Sequence, residues 1–179
     1  MAASAGFDVL YELMTGLSRV VLGAVAVAAT TDARAQCPSS GQRTAVAALS
    51  LAYTANALDG GRIAIRDTLH EAPFGIRSTA SVSRDFYLGF GTALSPGLPM
   101  LVAQAGVTAT LAGPAPTARK SMDVLAVFGT LYSIGQLAEP LAHRTLAHPR
   151  SAGSRRLRVV VGNIVLPAAM AIVGYKACR

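Results

Sequence analysis

The chain has 179 residues, of which 52% are hydrophobic and only 14% are charged, whereas soluble domains carry about 25% charged residues. A soluble domain of this length keeps too much surface to bury so large an apolar fraction. The composition therefore excludes a water-soluble enzyme, a disordered chain and a disulfide-dense secreted domain, and it predicts an integral membrane protein.

The net charge of +7 does not indicate nucleic-acid binding. The cations lie between apolar stretches, where membrane proteins carry the charges that set their topology. The chain has no Trp and no basic stripe interleaved with aromatic residues. We therefore predict the lipid bilayer and other membrane subunits as partners, and no nucleic acid. The bias towards Arg and Ala is typical of a GC-rich bacterial genome.

Five apolar stretches predict an all-α bundle of five transmembrane helices that forms a single domain over residues 1–179. The stretches are residues 7–29, 44–58, 86–112, 122–141 and 159–175. A span needs about 20 apolar residues. The second stretch has 15, so it crosses only if its flanking arginines snorkel or the bilayer thins. If it is re-entrant instead, the bundle has four transmembrane helices.

The first stretch carries polar residues on one helical face, at the spacing of Asp8, Glu12, Thr15 and Arg19. Arg19 lies near the middle of the stretch, so it needs a partner carboxylate, either Glu12 or Glu139 of the fourth stretch. Two interpretations follow. The face is a buried polar clamp between helices, or it is an ion, proton or anionic-ligand site.

The same stretch has a second interpretation as a signal peptide. An apolar run is followed by Ala33-Arg34-Ala35, which has the form of a cleavage site. The residues before the run carry Asp8 and Glu12 rather than a positive cluster, which favours a retained helix. Cleavage would make Gln36 the first residue of the mature chain.

The gap after the second stretch begins with Asp59-Gly60-Gly61, which predicts a turn. Beyond it, Arg62 and Arg66 share one helical face of residues 62–71, and apolar residues share another. This pattern predicts a short helix on the membrane surface with its arginines towards anionic headgroups. The alternative is a solvated loop.

The third stretch contains Ser95-Pro96-Gly97-Leu98-Pro99. Proline removes a backbone donor and clashes with the preceding turn, so we predict a break or sharp kink near Ser95. The simpler outcome is a kinked, tilted helix. The other is a discontinuous helix whose exposed backbone ends line a site.

The fourth stretch carries small and polar residues on one face. Gly129 and Ser133 form a small-xxx-small pair that predicts close approach of another helix. Gln136 and Glu139 extend this face and are binding-site candidates, together with Tyr132 as a further titratable group. Glu139 precedes Pro140 near the end of the span, so it lies either in the bundle or at the membrane interface.

Two asparagines and one proline stand out in the second and fifth stretches. Asn56 and Asn163 predict hydrogen bonds between helices, which need no ligand. Pro167 predicts a kink in the fifth helix.

The distribution of cations predicts the orientation. With five spans, the side that includes the N-terminus carries nine Lys and Arg and the other side carries six. The larger number marks the cytoplasm, which predicts a multi-pass cell-membrane protein with a cytoplasmic N-terminus and an external C-terminus. Cys37 and Cys178 are then both external, where a disulfide persists if the first and last helices are neighbours; the alternative is two free thiols.

The sequence lacks the standard catalytic and metal-binding patterns. Gly89-Phe90-Gly91 lacks the third glycine of a dinucleotide fingerprint, and His143 and His148 do not share a helical face. We therefore predict no cofactor and no metal. The first hypothesis for function is an accessory or scaffold subunit of a membrane complex. The second is a small transporter or channel built on the broken third helix, and the third is an intramembrane enzyme acting on lipid or quinone.

Overall fold

The computed structural model describes residues 38–69, 81–89 and 91–177. These residues are mostly helical, so the predicted all-α class is confirmed. In chain order the elements are α1 (Ser40–Arg66), α2 (Val82–Leu88), β1 (Gly91–Thr92), β2 (Ser95–Pro96), α3 (Leu98–Ala109), a 3-10 turn (Thr110–Ala112), α4 (Ala115–Ala138), α5 (Pro140–Ala147), α6 (Pro149–Ala152) and α7 (Ser154–Ala177).

Helix α1 is longer than the apolar stretch that predicts it. It begins with a capping box, in which Gln42 N donates to Ser39 Oγ at 3.3 Å and Ser39 N donates to Gln42 Oε1 at 2.8 Å. The helix then runs through Asp59-Gly60-Gly61, so the turn predicted there is wrong.

The two glycines serve close packing rather than a turn. A Cβ at Gly60 would lie 2.2 Å from Leu94 O, and a Cβ at Gly61 would lie 2.4 Å from Phe86 Cε2. Arg62 and Arg66 occupy the last turns of α1, so they do not begin a separate surface helix. Residues 70 and 71 of that predicted helix lie outside the described residues.

The third apolar stretch is not one continuous helix. Helix α2 ends at Leu88, and β1 and β2 then form an antiparallel hairpin that pairs Thr92 with Ser95. Helix α3 starts at Leu98. The predicted break near Ser95 is therefore confirmed, in the discontinuous rather than the kinked form.

Three long helices form the centre of the bundle, and α7 packs against both α1 and α4. At the end of the bundle where α1 begins, Val46, Met122, Met170 and Ala177 share one apolar cluster. We call this the first end. A middle cluster contains Tyr53, Leu101 and Tyr132.

At the opposite end, Ile63, Leu141 and Val159 belong to another apolar cluster. We call this the arginine end. Helices α1 and α4 therefore run from the first end to the arginine end, and α7 runs back. Helix α7 continues through Pro167. All described residues belong to one compact unit, Gln36–Arg179.

By length and composition, α7 is the one described helix that alone could cross a membrane. A second would be counted if α4 and α5, which are bent by 68°, formed a single span. The predicted set of five spans is therefore not confirmed. Helix α1 contains Arg43, Asp59, Arg62 and Arg66, which lower its hydropathy despite its length.

Candidate functional site

Three amide side chains, of which two are buried and one is half-buried, join α1, α4 and α7 in the arginine half of the bundle. Asn56 Nδ2 donates to Asn163 Oδ1 at 2.8 Å and to Val159 O at 3.0 Å. Asn163 Nδ2 donates to Gln136 Oε1 at 3.1 Å. We call Asn56, Gln136 and Asn163 the amide cluster. The hydrogen bonding between helices that the sequence predicts for the two asparagines is confirmed.

The amide cluster also binds the backbone of the hairpin. Asn163 Nδ2 donates to Leu94 O at 2.7 Å. Helix α1 approaches the same carbonyl through Gly60, where a Cβ would be too close. A broken helix has backbone groups that its own ladder does not satisfy. The side chain of Asn163 supplies one of the missing donors.

A glycine creates the space for this cluster. A Cβ at Gly162 would lie 2.7 Å from the side-chain amide of Asn56. The small residue therefore allows Asn56 to reach α7. Sequence reasoning did not single out Gly162, although its position next to Asn163 was the available signal.

Gln136 and Glu139 lie close together in sequence and both are buried, at 8% and 6% exposure. Gln136 Nε2 has no hydrogen-bond partner among the described residues. Glu139 stands at the junction of α4 and α5, where its carbonyl accepts from Ala142 N at 3.1 Å and His143 N at 3.3 Å. The junction therefore places Glu139 inside the protein rather than on its surface.

The close approach predicted for Gly129 and Ser133 is present between α4 and α7. A Cβ at Gly129 would lie 2.3 Å from Pro167 O. Ser133 Oγ donates to Gly129 O at 2.8 Å and contacts Ile164 O at 3.3 Å. These contacts bring the two helices together through small side chains.

A second polar cluster, which the sequence analysis did not identify, joins α1 to α3. Ser50 Oγ lies 2.6 Å from Thr108 Oγ1, and Gln104 Nε2 donates to Ser50 Oγ at 2.8 Å and to Thr54 Oγ1 at 3.3 Å. Gln104 is fully buried, and its Oε1 has no hydrogen-bond partner among the described residues. We call Ser50, Thr54, Gln104 and Thr108 the hydroxyl cluster. The sequence signal for this cluster was a pair of polar residues four positions apart in each of the two helices, Ser50 with Thr54 in α1 and Gln104 with Thr108 in α3.

Stacked aromatic rings lie at the level of the middle apolar cluster. Tyr132 stacks on Tyr53 with ring centroids 4.9 Å apart and on Phe128 at 5.6 Å. The Tyr132 hydroxyl donates to Met100 O at 3.4 Å. Tyr132 therefore links α4 to both α1 and α3.

The arginine end carries ion pairs between α1 and α7. Asp59 accepts hydrogen bonds from Arg155, and Arg158 Nη2 lies 3.3 Å from Asp59 Oδ2. Asp67 pairs with Arg66 at 2.8 Å and with Arg156 at 3.4 Å. Hydrogen bonds from Arg155 and from Arg66 lower the pKa of Asp59 and of Asp67, respectively, below the ordinary 3.8.

Four of the predicted site residues lie outside the described residues: Glu12, Arg19, Cys37 and Cys178. The partner of Arg19 and the pairing of the two cysteines therefore stay predictions. The described residues next to the cysteines are Pro38, which precedes α1, and Ala177, which ends α7. Both residues lie at the first end of the bundle.

Apart from the carboxyl group of Glu139, the polar side chains of the described interior are neutral amides and hydroxyls. No group of three or more His, Cys, Asp or Glu side chains that could hold a metal ion occurs in residues 38–69, 81–89 and 91–177. Amides and hydroxyls donate and accept hydrogen bonds, so the clusters are suited to joining helices. No family model, curated protein or solved structure matches this chain.

Proposed function

We propose that this chain is a multi-pass protein of the cell membrane that serves as an accessory or scaffold subunit of a membrane complex. In this proposal residues 38–177 cross the bilayer four times, through α1, the broken segment 82–112, α4 and α7. The span predicted for residues 7–29 lies outside the described residues. The arginine end faces the cytoplasm and the first end faces outward.

The proposed membrane location rests on the distribution of charged residues, which lie at the two ends of the bundle and leave an uncharged region between them. Between the charged ends, three long uncharged segments run through α1 (44–58), α4 (124–138) and α7 (159–175). At 1.5 Å per residue they are about 22 to 26 Å long. Snorkelling arginines and local thinning bridge the difference from a hydrocarbon core of about 30 Å.

Between the charged ends of the bundle, α1, α3, α4 and α7 all expose large apolar side chains. Large apolar side chains are more than half exposed on α1, α3, α4 and α7, namely Leu51, Val102, Ile134, Val165 and Ile172. The polar residues Ser50, Gln104 and Asn163 are instead fully buried. Apolar surface around a polar interior suits hydrocarbon as the solvent.

The cations support the orientation. Among the described residues the arginine end carries eight: Arg62, Arg66, Arg84, Arg144, Arg150, Arg155, Arg156 and Arg158. The first end carries four: Arg43, Arg119, Lys120 and Lys176. The excess favours the cytoplasm for the arginine end.

The scaffold role is supported by how the interior polar groups are used. The amide cluster and the hydroxyl cluster connect helices to one another and to the hairpin. No atom of the described residues lies within 4 Å of a Cβ built on Gly106 or Gly135. Small exterior residues allow the helices of another membrane subunit to approach closely.

Two single-cysteine variants test the membrane location and the orientation. After Cys37 and Cys178 are replaced by Ser, Thr117→Cys at the first end and Ser154→Cys at the arginine end are labelled with a membrane-impermeant maleimide. Both positions are exposed. We expect labelling at 117 in intact cells and at 154 only after permeabilisation. Extraction of the protein by alkaline carbonate, without detergent, would overturn the membrane location.

Photo-cross-linking in native membranes tests the subunit role. A photoreactive residue at Val102 or Ile134, which are 63% and 59% exposed, should form intermolecular products of discrete mass. Leu101, which is 2% exposed, is the matched control and should form none. A chain that stays monomeric at all three positions, and that purifies alone in mild detergent, contradicts a scaffold role.

The broken segment favours a small transporter or channel as the second candidate. Its hairpin is buried, and α3 begins next to the middle cluster that contains Leu101. Transporters use such broken helices to line their sites. Hydrophilic thiol reagents that reach Gln104→Cys and Thr92→Cys from the two aqueous sides would support a pathway, and protection of both would reject it.

A further inference from the structure

We propose that the surface where α1 meets α7, at the arginine end of the bundle, binds the phosphate group of an anionic phospholipid. The inference rests on the membrane location proposed above. The residues involved are five arginines and two aspartates, which we call the arginine seam: Asp59, Arg62, Arg66, Asp67, Arg155, Arg156 and Arg158.

The arginine seam has more positive charge than its internal ion pairs use. Asp59 is shared by Arg155 and Arg158, and Asp67 is shared by Arg66 and Arg156. Arg62 makes no ion pair with a described residue. Five guanidinium groups against two carboxylates leave an excess of three positive charges in this group. Such an excess at the cytoplasmic surface attracts anionic headgroups.

The start of α7 strengthens the preference for an anion. Arg155, Arg156 and Arg158 all lie within the first five residues of this 24-residue helix, and its first turn has no acidic residue. A helix N-terminus carries a partial positive charge, so cations there are disfavoured and anions are favoured. A bound phosphate would therefore offset repulsion that Asp59 and Asp67 offset only in part.

Guanidinium donors remain available at the surface. The side chains of Arg66, Arg155 and Arg158 are 64%, 52% and 70% exposed. Arg158 contacts Asp59 through Nη2 at 3.3 Å, and its planar group has five N–H donors in all. A phosphate accepts two parallel hydrogen bonds from such a fork. The aspartates thus hold the arginines in place and leave donors for a ligand.

An uncharged surface continues from the arginine seam along both helices. On α1, Ala52 and Ala55 precede Asp59 on the same face, and both are exposed. On α7, Gly162 and Val165 follow Arg158 on the same face. Charged donors beside an uncharged surface of small side chains suit a phosphate with acyl chains attached. This adjacency favours a phospholipid over nucleic acid or free phosphate.

Native mass spectrometry of the detergent-purified chain tests the proposal with dioctanoyl phosphatidylglycerol and dioctanoyl phosphatidylcholine as probes. We expect the wild type to retain the anionic lipid in preference to the zwitterionic one. The double variant Arg62→Gln/Arg158→Gln should bind the anionic lipid about tenfold more weakly. The matched control Arg119→Gln/Lys120→Gln removes the same charge at the first end and should change binding less than twofold.

A single variant keeps the test valid if the double variant fails to fold. Arg62 is exposed and makes no ion pair with a described residue, so Arg62→Gln should fold normally and weaken lipid binding about threefold. Equal retention of the two lipids, or an equal loss in the control variant, overturns the proposal. Full displacement of the lipid by an equal concentration of inorganic phosphate overturns the assignment to a phospholipid.

The failure of this inference is distinguishable from the failure of the proposed function. A wild type that needs detergent but shows no lipid preference leaves the membrane location standing and removes the lipid site. A wild type that remains dispersed without detergent removes both.

Discussion

Two contacts in this protein differ in kind. Helix α4 meets α7 by close packing, whereas the hairpin is joined to the bundle by a hydrogen bond. Helices α4 and α7 meet through glycines, since a Cβ at Gly129 or at Gly174 would collide with the other helix. The hairpin is held by a side-chain amide, because Asn163 donates to Leu94 O at 2.7 Å. Continuous helices satisfy their own backbone and need only a close fit, whereas a broken helix needs donors and acceptors from its neighbours.

The largest effect on stability is expected from a substitution in the close contact between α4 and α7. Gly129→Ala places a methyl group 2.3 Å from Pro167 O, which should cost about 3 kcal/mol of unfolding free energy. Gly135→Ala, on the same helix, meets open space and should add about 0.5 to 1 kcal/mol. Thermal unfolding in detergent measures both. Equal effects of the two variants would mean that α4 and α7 are not in this contact.

The next effect tests the polar attachment of the hairpin. Asn163→Ala removes the donor to both Leu94 O and Gln136 Oε1, which should cost about 2 kcal/mol because buried acceptors lose their partner. Asn56→Ala removes the donor to Asn163 Oδ1 and Val159 O but none to the hairpin, so about 1 kcal/mol is expected. The same unfolding assay compares them. A larger loss for Asn56→Ala than for Asn163→Ala would show that the hairpin does not depend on this side chain.

The smallest effect expected is a pH dependence of the melting temperature that arises from the two aspartates at the arginine end. The folded-state pKa values of Asp59 and Asp67 lie below 3.8 because arginines donate to both carboxylates. A lowered pKa contributes stability above the unfolded-state value and loses it as the pH falls through the folded-state value. Melting temperatures should therefore stay level down to about pH 4 and fall below it.

Asp59→Asn is the control for this pH dependence. It should reduce the fall in melting temperature at acid pH. Salt should reduce the fall in the wild type, since the Arg66–Asp67 and Arg155–Asp59 contacts are exposed to solvent. An acid transition that is the same in Asp59→Asn and in the wild type would assign the pH dependence to other groups.

Much of the helical organisation could be predicted from local pattern. The apolar stretches 44–58 and 159–175 lie within α1 and α7, and most of 122–141 lies within α4. The break near Ser95 followed from two prolines and a glycine, because proline cannot continue the backbone ladder. Asn56 and Asn163 stood out as polar residues in apolar surroundings, which need a partner wherever they are buried.

Other features could not be predicted because they depend on contacts between distant residues. Asp59-Gly60-Gly61 has the composition of a turn, yet it is helical, and Leu94 and Phe86 pack against its two glycines. The spacing of Gln104 and Thr108 marks a polar face on α3, but it does not show that Gln104 contacts Ser50, which lies 54 residues away. The composition of a short segment does not specify which surface will cover it.

The sequence alone determined that this protein is helical, that its third apolar stretch is broken and that most of its cations lie between apolar stretches. These properties follow from backbone chemistry and residue order. Only the tertiary structure decided that Asp59 and Asp67 meet the arginines of α7 and that Asn163 reaches the hairpin. Pairing between segments about 70 to 100 residues apart in the chain depends on how the helices pack, and small residues such as Gly60 and Gly162 set how closely they approach.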